Sequence, residues 1–256
     1  MSVVLIVTGA STGIGAATAR VGGERGYDVC VNYRSRTAEA EAVVAHIEKS
    51  GGKAIAVKGD VGNEDDVLAM FETVDRELGP VTALVNNAGF VPGRATADEV
   101  SAADVKVTMD TKVMGSILCS REALKRMMPK HGGEGGAIVN VTSPASNHGA
   151  PGYWIHYAAS NGAADTFTIG LSKEVATEKV RVNAVRPGFV ITNFNVNANW
   201  LDRTEKYVAQ NPEVRDGKPE EIADTILWLL SDEASYVSGA IVDVTGGFSG
   251  MINPKD

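Results

Sequence analysis

Apolar residues along this chain fall into short unbroken runs, separated by longer stretches where they recur every three or four positions. The runs are Val3–Thr8, Val29–Tyr33, Ala54–Lys58, Ala83–Asn86, Ala137–Thr142, Arg181–Arg186 and Ala240–Val244. Between them, residues 14–25, 37–50, 63–78, 104–128, 157–177 and 219–231 carry the helical period. A strand that is apolar on both faces, followed by a helix, implies right-handed βαβ units and a parallel sheet. The expected fold class is therefore α/β: about seven parallel strands with helices on both faces, in one domain over residues 1–256. A barrel of eight such units also fits the length. Seven strands, and a glycine-rich turn after the first, favour an open doubly wound sheet.

Composition narrows the class. The 256 residues are 44% hydrophobic and 22% charged, and no low-complexity linker or internal repeat divides them. A chain of this size buries roughly 70–75% of its unfolded surface and needs no staple to fold. The 24 basic and 32 acidic residues leave a net charge of −8, which argues against nucleic-acid and anionic-membrane partners. The apolar run Val3–Val7 lacks a basic flank and is too short for a signal segment or a membrane span. Cys30 and Cys119 lie in apolar segments and read as free core thiols of a reducing compartment. Asn140-Val141-Thr142 matches a glycosylation acceptor, but no secretion signal accompanies it. A soluble cytoplasmic protein is expected. His46, His131, His148 and His156 show no metal spacing, so no metal is expected.

Two stretches resist regular structure. Pro129–Gly136 reads as a glycine-rich surface turn. Gly188–Gly217 leaves the sixth strand at its carboxyl end, where ligands of open α/β sheets bind, and a loop of that length reads as a substrate lid. It carries Phe194, Asn195, Asn197, Asn199 and Trp200. With Pro144, Trp154 and Phe189, its aromatic residues are candidate apolar walls, and its asparagines could bond substrate oxygens.

The first strand runs into Thr8-Gly9-Ala10-Ser11-Thr12-Gly13-Ile14-Gly15 and then a helix. Glycines at 9, 13 and 15 permit a tight turn and close approach to a pyrophosphate, and the helix start supplies free N–H groups. The residues around that turn, Ser11, Thr12 and Ile14, are cofactor candidates in a Rossmann-like domain. An acid at the end of the second strand would take the ribose 2′-hydroxyl of NAD. This strand instead ends Asn32-Tyr33-Arg34-Ser35-Arg36. Arg34, helped by Arg36, suits a 2′-phosphate through charge-assisted bonds, so NADP(H) is favoured over NAD(H).

At this point the chain resembles the NAD(P)-dependent short-chain dehydrogenase/reductase family over nearly its full length. Six motifs carry the resemblance in order: Thr8–Gly15, Asp60-Val61, Asn86-Asn87-Ala88-Gly89, Tyr157 opening YAAS, Arg186-Pro187-Gly188, and Tyr236–Gly239. It implies hydride transfer between the nicotinamide and a small carbonyl or alcohol. It places Asp60 and Val61 near the adenine, and Asn86, Asn87, Ala88 and Gly89 along the cofactor. Thr192 would lie near the carboxamide, and Pro187, Gly188 and Val190 would also bind the cofactor. A homo-oligomer, tetramer or dimer, built through the long helices is implied too. Tyr157 matches the general acid/base and Ser143 the residue that orients the reacting oxygen, with Thr142 and Ser146 as weaker alternatives.

The pattern then breaks. Asn161 stands where the family has the lysine that holds the ribose and lowers the tyrosine pKa, and Lys112 stands where it has a relay asparagine. Val105, Met109, Lys112, Ser116, Cys119, Ala123 and Met127 form one apolar or small stripe at helical spacing, so Lys112 should point inward. Bringing a tyrosine from near 10 to about 7.5 takes roughly 3.4 kcal/mol. An ammonium about 5 Å away at an effective dielectric of about 20 supplies roughly 3.3 kcal/mol. The expectation is that Lys112 returns a cation to the site while Asn161 bonds ribose or water. The rival reading is a catalytically weak or inactive NADP(H)-binding protein, a sensor or scaffold. His148 and His156 flank the site segment as candidates for substrate contact or for packing.

Overall fold

The computed structural model describes residues 3–91, 93–192, 208–209 and 211–248. Seven parallel strands build one sheet: β1 (Val3–Val7), β2 (Tyr27–Tyr33), β3 (Ala54–Lys58), β4 (Val81–Asn86), β5 (Gly136–Val141), β6 (Val180–Pro187) and β7 (Ile241–Val244). Their order is β3-β2-β1-β4-β5-β6-β7. The two outer strands do not meet, so the sheet is open and the barrel is excluded. Strand order reverses between β1 and β4, which leaves a crevice beyond the carboxyl ends of both.

Alternation along each strand divides the core. Leu5 and Val7 face one layer with Val29, Val31, Val85 and Val139, while Val4 and Ile6 face the other with Leu84, Ile138 and Phe71. The first layer is covered by α1 (Gly13–Glu24), α2 (Thr37–Lys49) and α8 (Pro219–Leu230). The second is covered by α3 (Glu64–Glu77), α5 (Gly115–Met127) and α7 (Ile155–Glu174). A Cβ at Gly22 would fall 2.9 Å from Leu5, and one at Gly23 would fall 2.5 Å from Ile47. Gly22 thus lets α1 lie close on the sheet and Gly23 lets it lie close on α2, which together fix where its N-terminus points.

The stretch 104–128, expected as one helix, is interrupted. It comprises α4 (Ala102–Met109), a wide π turn over Asp110–Met114, and α5. Thr108, Lys112, Ser116, Cys119, Ala123 and Met127 are buried, whereas Val105 and Met109 are only half-buried. The wide turn adds a residue and shifts the phase of the inward stripe, a step that uniform helical spacing cannot register. A short α6 (Ala145–His148) precedes α7.

Candidate active site

The glycine turn is held from three sides. Thr8 Oγ1 accepts from the backbone N–H groups of Asn87 and Ala88, each at 3.0 Å. Asn87 Nδ2 donates to the carbonyls of Thr8 (2.9 Å) and Gly9 (3.1 Å). Asn32 Oδ1 accepts from the Gly9 N–H at 3.2 Å, while its Nδ2 donates to Val57 and Gly59 carbonyls at 3.3 and 3.1 Å. Gly9 and Gly13 have φ of +62° and +60°, a region L side chains occupy only under strain. A Cβ at Gly13 would also press on Thr192 at 3.2 Å. The first turn of α1 holds no acidic residue, and Thr12 makes no side-chain cap. Its N–H groups and positive dipole end are therefore available to an anion.

A cavity of about 460 Å³ opens beside this turn at the carboxyl ends of the strands. Gly9, Ser11, Thr12, Gly13, Ile14, Arg34, Ser35, Asp60, Val61, Asn87, Ala88 and Gly89 line one part of it. Lys112, Ser143, Tyr157, Pro187, Gly188, Val190 and Thr192 line the rest. Four expected residues do not. Asn86 is buried, its amide turned to Asn140 and Ser120. Tyr33 is buried with the apolar core on the α2 side of the sheet. Gly15 lies behind the turn, where a Cβ would fall 2.5 Å from Asn87 Nδ2. Asn161 is completely buried behind Tyr157. Arg34 is half-exposed, 3.6 Å from Asp60 and stacked over Phe90. Arg36 also lines the cavity and pairs with Glu39 at 3.4 Å.

Burial raises the Tyr157 pKa above its ordinary 10.0, while hydrogen bonding with the Ser143 and Asn161 side chains pulls the other way. Ser143 is thereby brought to the tyrosine. Thr142 instead turns its hydroxyl to the Val185 carbonyl (3.3 Å), and Ser146 donates to the Ser143 carbonyl (2.9 Å) and stays out of the cavity. Asn161 Nδ2 donates to the Tyr157 carbonyl at 2.8 Å, and its Oδ1 has no hydrogen-bond partner among the described residues.

Lys112 is inward, with 4% exposure. Its Nζ donates to the Val141 carbonyl at 2.9 Å, two residues before Ser143, and lies against Gly89. Burial lowers its pKa from 10.5 to about 8. The two histidines part ways. His148 lines the cavity, whereas His156 is buried away from it with neither ring nitrogen bonded among the described residues.

Pro144, Trp154 and Phe189 line the cavity as apolar walls. Gly217 N–H donates to the Phe189 carbonyl at 2.9 Å and Val190 bridges to Gly217, so the two ends of the stretch 188–217 meet. Phe194, Asn195, Asn197, Asn199 and Trp200 lie outside the described residues.

The family model described as enoyl-(acyl carrier protein) reductase matches residues 9–249. An uncharacterized oxidoreductase of Escherichia coli, YgfF, is 46% identical over 95% of this chain and 99% of its own length. A 3-oxoacyl-[acyl-carrier-protein] reductase of Synechocystis is 38% identical over 95% of this chain and 96% of its own. Glucose 1-dehydrogenase 2 of Bacillus subtilis is 35% identical over 95% and 93%. The chain belongs to the short-chain dehydrogenase/reductase family.

Members of the short-chain dehydrogenase/reductase family are oxidoreductases that use a nicotinamide cofactor. The residues present fit one: the positive-φ glycines leave a cradle that a Cβ would fill, and the helix start is uncapped. Among the described residues no helix is long and apolar enough to cross a membrane, and no cluster of His, Cys, Asp or Glu could hold a metal.

Sequence reasoning missed the supporting role of several buried residues. Asn86 Nδ2 donates to Asn140 Oδ1 (2.9 Å) and Ser120 Oγ (3.0 Å), and Asn140 Nδ2 donates to Thr168 Oγ1 (2.8 Å). This buried chain ties β4, β5, α5 and α7 together beneath the site. The available signal was an asparagine inside each of three otherwise apolar strands, at 32, 86 and 140. Phe90, Asn211 and Phe248 also line the cavity.

Proposed function

We propose that this protein is an NADP(H)-dependent reductase of small carbonyl compounds, acting in reverse on the alcohols. The observation that carries the reading is the meeting of Tyr157, Ser143 and Lys112 in one cavity with the glycine turn. When bound, the nicotinamide supplies or removes hydride at the carbonyl carbon. Ser143 Oγ orients the carbonyl oxygen, and the Tyr157 hydroxyl delivers its proton to that oxygen, or takes it back in oxidation. Lys112 is charged below about pH 8 and supplies the cation that the family draws from the position held here by Asn161. Its electrostatic field favours the tyrosinate after proton transfer. Asn161, expected to bond ribose or water, is shut away from the cavity, and its Oδ1, without a hydrogen-bond partner among the described residues, is suited to a buried water.

Gly9, Ser11, Thr12, Gly13 and Ile14 cradle the pyrophosphate, with Gly15 supporting the turn from behind. Asp60, Val61, Asn87, Ala88 and Gly89 follow the adenosine side, and Pro187, Gly188, Val190 and Thr192 the nicotinamide side. Arg34 supports NADP(H), joined by Ser35 and Arg36, and moves from its loose pairing with Asp60 onto the 2′-phosphate. The sensor or scaffold reading is not favoured, because the relatives carry oxidoreductase, reductase and dehydrogenase names. Residues 188–217 act as the substrate lid. A cytoplasmic homo-oligomer is the expected setting, supported by exposed Met114, Ile117, Ile155 and Ile169 on the long helices.

A nicotinamide-absorbance screen with both cofactors over a carbonyl and alcohol panel tests the reading. Turnover with NADPH is expected, and Arg34→Ala should weaken NADPH about 10-fold or more while leaving NADH unchanged. Cofactor binding with no absorbance change across the panel would contradict it.

A further inference from the structure

The segment after Ser143 carries a donor that the hydride-transfer reading leaves unused. Helix α6 ends at His148, and the chain then passes through two left-handed residues, Gly149 at φ +78° and Ala150 at φ +46°. Glycine accepts that region freely, whereas an alanine there is strained. The strained turn aims the Ala150 N–H at His148 Nδ1, 3.2 Å away. An imidazole nitrogen that accepts a hydrogen bond carries no proton, so in the neutral ring the proton sits on Nε2.

Burial lowers the His148 pKa from its ordinary 6.5, outweighing a backbone hydrogen bond that raises it, and so favours the neutral ring. His148 lines the cavity, and with Nδ1 taken by the Ala150 N–H, Nε2 is the ring's donor. The cavity therefore holds a neutral N–H donor of fixed tautomer, on the same segment as Ser143 and among apolar walls.

We propose that His148 is a specificity-determining residue whose Nε2–H donates to a second, uncharged oxygen of the substrate, beyond the carbonyl held by Ser143 and Tyr157. The substrates selected are thus ketones or aldehydes that carry an ester, ether, hydroxyl or further carbonyl oxygen. An anionic group suits the site poorly. It would draw a second proton onto the ring, and that Nδ1–H would oppose the Ala150 N–H. The inference rests on the reductase reading of the cavity.

The test has two arms. In ¹⁵N-histidine-labelled protein, long-range proton–nitrogen correlation should show His148 with a proton on Nε2 and none on Nδ1. The opposite tautomer overturns the proposal, independently of any substrate. The second arm compares ethyl pyruvate, ethyl acetoacetate and ethyl levulinate, each with the unbranched methyl ketone of equal chain length. For at least one keto ester, His148→Phe should lower kcat/KM by about 10- to 100-fold, mainly through KM. The paired ketone should change by less than about threefold, and His148→Gln, which keeps a donor near Nε2, should recover most of the keto-ester activity. Equal effects on ester and ketone, or none on either, would overturn the proposal and leave the reductase reading standing. Wild-type protein that reduces no carbonyl at all would overturn both.

Discussion

At the scale of single residues, Lys112 holds the greatest tension between stability and chemistry. Its amine titrates near 8 in the folded protein against an ordinary 10.5. Below about pH 8 the group is charged in both folded and unfolded states, and burial weakens the fold by the full difference. At about 1.36 kcal/mol per unit, that difference is about 3 kcal/mol. Between 8 and 10.5 the unfolded chain binds more protons than the folded one, so the penalty is relieved as pH rises through that window. Loss of the bond to Val141 offsets part of the gain from removing the amine, about 1 kcal/mol. Lys112→Met should therefore be more stable than wild type at pH 7, by up to about 2 kcal/mol in urea unfolding, with the advantage shrinking toward pH 10.5. A wild type more stable at pH 7 would refute this account of the buried amine.

At the scale of elements, the seven strands were legible because parallel strands buried on both faces leave unbroken apolar runs. Lys112 facing inward was legible for a similar reason, since it interrupts an otherwise apolar or small stripe. The π turn over Asp110–Met114 was not, because a turn with one added residue preserves local composition and changes only the phase. Tyr33 was misplaced for a related reason: it stands between the polar Asn32 and Arg34, and nothing local shows that its ring turns into the core. Asn32 was passed over because one polar residue in a strand reads as an interruption. Its amide in fact joins the turn after β1 to the end of β3. Asn32→Ala strips three hydrogen bonds from backbone groups and should cost about 2–4 kcal/mol of stability. It should also weaken NADPH several-fold, as followed by fluorescence titration. Unchanged affinity would show that the turn keeps its shape without this support.

At the scale of the whole molecule, an acidic chain gathers Arg34 and Arg36 at one end of its cavity, a local basic patch that the net charge of −8 conceals. The family assignment accounts for the cavity and the glycine turn, and the proposed exchange at 112 and 161 is what it leaves to be tested. The exposed apolar residues of the π turn, α5 and α7 belong to this scale too. Light scattering should report a dimer or tetramer for wild type, and Ile117→Glu with Ile169→Glu should release monomers. A monomeric wild type would contradict the oligomer. The claim that Lys112 supplies the missing cation is tested most directly by turnover of Lys112→Ala with NADPH and its best carbonyl, measured alongside cofactor affinity. The account predicts kcat lower by roughly 100-fold or more, and an NADPH Kd within about threefold of wild type. Undiminished turnover in that variant would contradict it.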